Sequence, residues 1–398
     1  VPSCDDPLSG IKIPCYGDQL TRVRLAGAKD LRAGCHSAAE RLDHLYPFCI
    51  VDWHTKRSFL KTIFKRLYKN SGREKGTLRY FREKLNRRNV TVDVKHYEDC
   101  EQFFISVGSC FVVEALLEFF HMSHTQQKPK KNGPNMAFIT TDEQKKLFIE
   151  STLDKFLEQY VFIEDDQAFG TDNVCHYSVN LVKSFMILAD IKDAVATGNG
   201  QHLSVLHKQL LVHFFSASRF NEYAIEMLVN IMQHQILLSP AQAHQCMWAA
   251  TVNWSGGYGK NVEIDLFQEN RNKDMKAMIK SMGANKSEKA IYRGSRAAGG
   301  IRQIVDAFGK QVSMQRKSSS HSHKSSSQDE KIVMTDLRRL RPFRQDNERK
   351  LESFKNISHN PTTSFDEKKF VGWINNHKRN MLLHFPGEEN DDISEDEN

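Results

Sequence analysis

The chain has 398 residues and a formal net charge of +7, with 39% apolar and 26% charged residues. That length allows two or three domains, and that balance suits a soluble protein with some unstructured stretches. No apolar run approaches the roughly 20 residues of a membrane helix, and the opening VPSCDDPLSG has neither the basic nor the apolar region of a secretory signal; it reads as a start in mid-protein.

Two short apolar runs near the start have strand character, Ile11–Tyr16 before GDQLT and Tyr46–Val51 before DWH. The span Thr21–His44 between them suits a helix, with Thr21 as a possible N-cap. Strand, helix, strand over so short a span predicts a parallel α/β unit. Beyond Val51 the periodicity is helical almost throughout. Thr55–Lys69 and Thr77–Arg88 each alternate an apolar face with a basic one, and Tyr97–Met122 is apolar enough for one or two buried helices. After a linker at Ser123–Asn135, Thr141 and Gln144 form a capping-box pattern that opens a helix over Asp142–Phe162. Further helices are predicted over Tyr177–Ala196, Gln201–Ala217, Glu222–Leu237 and Ala241–Asn253, the last opened by Ser239–Pro240. The glycine-rich turn WSGGYGKN precedes helices over Asp265–Met282 and, basic and amphipathic, Lys286–Phe308. Ser313–Glu330 is low in complexity and predicted to be disordered. Helical segments follow over Lys331–Leu351 and Phe365–Phe385.

Charge and cysteines bound the setting. The tail Pro386–Asn398 carries seven acids and no base, so the rest of the chain stands at +14. Within Thr55–Lys95 there are fourteen Lys or Arg against three acids, a balance that attracts phosphate backbones through counterion release; Lys61, Lys65, Arg66, Arg87 and Arg88 are the candidate contacts. The eight cysteines are widely spread with no CxxC pair, several in apolar surroundings, which predicts free thiols in a nuclear or cytoplasmic protein and not a secreted disulfide framework.

Four acidic and imidazole groups are candidates for chemistry. Asp18 follows the first strand and either binds a ligand at the strand edge or caps the following helix. His54 closes the second strand in a similar place, so the two converge on one edge, where they suit a divalent metal or a phosphate; the alternative for His54 is a hydrogen-bonded structural role. Glu222 with Glu226, and Asp265 with Glu269, stand at i, i+4 on one helix face, which like charges tolerate when exposed or bridged by a cation. His202, His207 and His213 lack the closer spacing of a zinc site, and no P-loop, GxGxxG or kinase signature is present.

The ordered set YGDQLT, DWH, KRLYKNSGREKGTL, NEYAIEML and GKNVEIDLFQENRNKDMKAMIKSMGANKSEKA resembles a family of unknown-function domains found in transposable-element proteins, over roughly Ile11 to Phe308. Such proteins look like cut-and-paste (DDE) transposases. The resemblance implies an α/β fold, a partial RNase H-like core with a large all-α insertion, predominantly helical overall. It implies Mg²⁺ or Mn²⁺ held by carboxylates, with Asp18 as the second ligand and Glu226 or Glu269 as the helix ligand; the glycine turn ahead of Glu269 favours the latter. His54 joins them as a catalytic candidate. The first carboxylate is expected before Val1, which makes this core incomplete or inactive. The implied organisation is a strand–helix–strand core portion at 1–54, a basic helical insertion at 55–253, returning helices at 254–312, a linker at 313–330, a helical segment at 331–385 and an acidic tail at 386–398. DNA is the expected partner. The rivals are a non-enzymatic DNA or chromatin interaction protein and a helical scaffold.

Overall fold

A computed structural model describes residues 11–134, 139–163, 165, 168–218, 221–312 and 326–382. The chain starts with strand β1 (Ile13–Gly17), helix α1 (Gln19–Leu31) and strand β2 (Leu45–Ile50), followed by α2 (Asp52–Leu67), α3 (Leu78–Lys84), α4 (Tyr97–Phe119) and α5 (Asp142–Tyr160). Next come α6 (Asn173–Thr197), α7 (Gly200–Ala217), α8 (Glu222–Met232) with a π-helical turn at Gln233–Leu237, and α9 (Pro240–Trp248). The short strands β3 (Thr251–Val252) and β4 (Val262–Glu263) lead into α10 (Ile264–Ser281), α11 (Glu288–Gln311), α12 (Ser327–Leu340) and α13 (Glu367–Leu382).

Several boundaries follow from local chemistry. Thr141 accepts from the Gln144 backbone while the Gln144 side chain reaches back, completing the capping box of α5, and Ser239 with Gln242 does the same for α9 behind Pro240. Asp172 caps α6 through the Val174 and Cys175 amides, so that helix starts four residues earlier than its apolar periodicity suggests. Gly198 ends α6 in the left-handed conformation (φ 70°), where a side chain would also strike Asn261.

The residues divide into two compact units, each discontinuous in sequence. The first combines residues 1–55, 199–250 and 362–398, hence β1, α1, β2, the first turn of α2, α7 to α9 and α13. Its β1 and β2 pair in parallel, Tyr16 opposite Cys49 and Gly17 opposite Ile50, as a strand–helix–strand crossover requires. Phe215 of α7 anchors α13 by ring contacts with Phe370 and Trp373 at 4.9 and 5.3 Å.

The second unit, residues 56–198 and 251–361, is built around α4. Phe104, Val107 and Phe111 of α4 are buried, and Gly108 lets the Phe185 ring of α6 lie against its backbone. By length and composition α4 is the one helix among the described residues that meets the requirement for crossing a membrane, an exception to the reading of the apolar runs above. Within the unit its surface is covered by α6 and α12, and it carries the buried Glu114 in an ion pair with Arg338. Lys56 is likewise buried between Glu263 (2.5 Å) and Glu101 (3.4 Å), and Lys192 closes on Glu101 at 2.7 Å. Tyr177, at 1% exposure, donates to the Leu67 carbonyl (2.7 Å) and accepts from the Leu78 amide (2.9 Å). Tyr177→Phe strands both backbone groups in an apolar interior, and denaturant unfolding should show a loss of about 2–3 kcal/mol. A loss below about 0.5 kcal/mol would mean that the Leu67 and Leu78 groups find other partners.

The protein is predominantly helical, and its described strands form two two-stranded sheets, parallel β1–β2 and antiparallel β3–β4. Asp18 caps α1, one of the two roles expected of it. Three expectations are corrected. The helix α1 stops at Leu31 instead of His44. His54 lies in the first turn of α2, which starts at Asp52, so the residues DWH are helix and not strand end. The low-complexity stretch is helical from Ser327 onward, because Ser326 and Glu330 join and Val333 and Leu337 are buried beyond them; residues 313–325 and the acidic tail lie outside the described residues. The seven described cysteines are free thiols, and Cys4 lies outside the described residues.

Candidate functional site

In a parallel strand pair both carboxyl ends face one edge, and the polar groups of the first unit gather there. Gly17 closes β1 because a side chain would meet Thr21 at 2.8 Å and the Phe48 ring at 3.0 Å. Asp18 then accepts from the Thr21 backbone amide (2.9 Å) and hydroxyl (2.6 Å). Partial burial works against its charge, but the two Thr21 bonds and the nearby His54 and Arg24 outweigh that and hold the carboxyl below its usual range. The His54 ring lies edge-on to Trp53, 4.8 Å between centroids.

Glu226 reaches the same region from α8. Only 1% of its side chain is exposed, and Arg22 of α1 directs Nε at both carboxylate oxygens, at 2.7 and 2.6 Å. Burial pushes its pKa up; the Arg22 bond and charge oppose this, and Glu222 and Asp18 add to it. The i, i+4 acids of this helix therefore differ: Glu222 is exposed, while Glu226 is bridged by a cation from another helix.

One turn beyond Glu226, Asn230 donates to His207 Nδ1 (2.9 Å), which assigns the ring proton to Nε2, and Nε2 donates to Asp52 Oδ1 (2.7 Å). All three side chains are buried. With Tyr16, Cys49 and His234 they line a small cleft whose interior has room for about one water molecule. Among the described residues, Asp52 Oδ2, Asn230 Oδ1 and both ring nitrogens of His234 are buried without a hydrogen-bond partner. His234 sits on the π-helical turn, where burial and then repulsion from His207 push its pKa down to about 4 against the pull of Asp52. Across the cleft Tyr16 donates to the Cys246 carbonyl (2.8 Å), and Cys49 and Cys246 pack in one small apolar cluster as free thiols. Because Asp52 and Asn230 occupy both nitrogens of His207, that ring is not available as a base to a nucleophile.

The remaining candidates are in the second unit. Glu269 is exposed on α10 and so belongs to a different unit from Asp18, His54 and Glu226. Lys61, Lys65 and Arg88 are exposed, and none meets a carboxylate among the described residues. Arg66 is instead tied to Asn180 (3.0 Å), Ser184 (2.8 Å) and the Pro361 carbonyl (3.3 Å), and Arg87 is paired with Asp329. The same helical periodicity that marked all five as outward-facing cannot show that α6 and α12 cover two of them.

Among the described residues, no group of three or more His, Cys, Asp and Glu side chains is placed to hold a metal ion. The donors expected for Mg²⁺ or Mn²⁺ are not grouped for it: Asp18 Oδ1 accepts twice from Thr21, both oxygens of Glu226 accept from Arg22, and Glu269, the favoured helix ligand, is in the other unit. The residues that sequence reasoning missed are Asp52, Asn230 and His234, and it set His207 aside. A buried imidazole on an apolar helix was the one available signal.

A family profile matches residues 7–321, well over half of the chain. The chain belongs to a family of unknown function (DUF6589). The DUF6589 match runs from before β1 to beyond α11 and contains every candidate above, whereas α12 and α13 lie after it. Searches of curated proteins and of solved structures find no match.

Proposed function

We propose that this DUF6589 protein binds nucleic acid and does not cut it, as a descendant of a DDE-type transposase whose phosphodiester-transfer core is inactive. One observation carries the reading: of the two acids that the resemblance offers to metal in the first unit, Glu226 has both oxygens committed to Arg22, and Asp18 Oδ1 accepts twice from Thr21. Two-metal phosphoryl transfer requires carboxylates free to share cations roughly 4 Å apart. What is left for nucleic acid is surface charge, of which Lys61, Lys65 and Arg88 are exposed and unneutralised. Backbone contacts of that kind need no catalytic geometry and confer little sequence preference. A nuclear or cytoplasmic setting belongs to the same reading.

The test is a labelled duplex incubated with the full chain and Mg²⁺ or Mn²⁺. The expected result is a retarded complex with no nicking. Nicking that vanishes in Asp18→Asn would restore the enzyme reading. An absence of any complex at low salt would leave the helical scaffold as the surviving alternative.

A further inference from the structure

The helices α10 and α11 form a hairpin within the second unit. They pack where Gly294 of α11 leaves room for the methionine ends of α10, Met278 and the adjoining Met282. From Lys276 to Arg296 this hairpin carries six bases, Lys276, Lys280, Lys286, Lys289, Arg293 and Arg296, and one acid, Glu288. All six bases are exposed, and none has a carboxylate partner among the described residues. Their spacing is ordered. Lys276 and Lys280 are one turn apart, and Lys289, Arg293 and Arg296 follow at intervals of four and three, so each set shares a helix face. Lys286 stands in the turn between them. The Arg296 guanidinium lies over the Tyr292 ring, 5.7 Å from its centroid, which holds it extended and preorganised.

The contrast with the more basic stretch at Thr55–Lys95 decides the matter. There Lys56, Arg79, Lys84 and Arg87 all face carboxylates and Arg66 is consumed by hydrogen bonds. A cation already neutralised releases no counterion from a polyanion. Each stretch exposes six bases without a carboxylate partner among the described residues, but the hairpin holds its six within residues 276–296, whereas Lys61, Lys65, Lys69, Lys75, Arg88 and Lys95 are spread over residues 61–95, so the density of unneutralised charge favours the hairpin. The distal half of α11 carries an exposed apolar stripe, Ile301, Ile304, Val305 and Phe308.

We infer that the turn end of the α10–α11 hairpin is a docking surface for the phosphate backbone of duplex DNA, with Lys276, Lys280, Lys286, Lys289, Arg293 and Arg296 as its contacts. This rests on the nucleic-acid reading above and names the surface that would carry most of it. A duplex is the occupant of choice because it presents a phosphate charge about every 1.7 Å along its axis, the densest array such a set of cations can meet. No contact of this kind reads a base edge, so binding should be indifferent to sequence.

The experiment measures the affinity of the full chain for a short duplex by anisotropy across a salt series. If all six bases engage phosphates, affinity should fall about 10³-fold between roughly 50 and 200 mM salt. Changing Lys280, Lys286, Lys289 and Arg293 together to Gln should make the log–log slope shallower by about 3 to 4, at roughly 0.9 per phosphate contact. Because these four are exposed, the circular dichroism melt of the variant should match that of the parent. A control of equal number, Lys61→Gln, Lys65→Gln, Lys75→Gln and Arg88→Gln, should flatten the slope less. An unchanged slope in the hairpin variant, beside normal binding by the parent, overturns the hairpin assignment and leaves the nucleic-acid reading standing. No binding by the parent at low salt overturns both. Displacement of the duplex by polyglutamate or single-stranded RNA at equal charge concentration overturns the choice of duplex DNA.

Discussion

Replacing Arg22 with alanine should destabilise the protein by about 2–3 kcal/mol, somewhat below a fully buried pair because 24% of the Arg22 side chain is exposed. Glu226 is left with 1% exposure and without its counter-charge. The effect should depend on pH in a definite direction. The folded-state pKa of Glu226 is already raised by burial, with Arg22 working to lower it. Without Arg22 it rises further, so the folded protein holds a proton that the unfolded chain gives up. Stability then falls as pH rises from the ordinary glutamate value through the raised one. Urea unfolding at about pH 5 and about pH 8 should show the larger deficit at the higher pH. Adding Glu226→Gln, which cannot ionise, should remove most of that difference. Equal deficits at both pH values, unaffected by Glu226→Gln, would show that the pair acts through packing and not charge.

His207→Ala should cost more, about 3–5 kcal/mol, because it removes the hydrogen-bond partner of two groups at once. Asp52, at 3% exposure, loses the donor to Oδ1 while Oδ2 has no protein partner, and Asn230, also at 3%, loses the acceptor for its amide. A second change, Asp52→Asn, should recover part of the loss by replacing a stranded carboxylate with a neutral amide. Chemical unfolding of the parent and the two variants measures both quantities. A loss under about 1 kcal/mol for His207→Ala, or no recovery in the double variant, would show that the cleft admits enough solvent to satisfy Asp52 directly.

Much of the local architecture was legible in the sequence. The Thr141–Gln144 capping box, the Ser239–Pro240 start of α9 and the apolar periodicity of α2, α4 and α7 depend on residues within four positions of one another, a range set by the helix itself. The parallel pairing of β1 and β2 followed from the short crossover between them. Other assignments had two local solutions of similar merit. Asp18 and Thr21 are both good N-caps three residues apart, and Asp18 takes the role by accepting from the Thr21 amide and hydroxyl.

What the sequence by itself determined, then, was a mostly helical protein with some of its helix starts, one parallel strand pair and an excess of positive charge. Which charges are spent inside the protein was decided only in three dimensions. Arg22 meets Glu226 across 204 residues, His207 meets Asp52 across 155 and Lys56 meets Glu263 across 207. Arg66 and Arg87, read as outward-facing from their helices, are claimed by residues 114 and 242 positions away. Helical periodicity reports which side of a helix a residue occupies, since the backbone imposes it within a few residues. It carries no information on what packs against that side, because pairing of distant segments depends on how the whole chain buries its apolar faces.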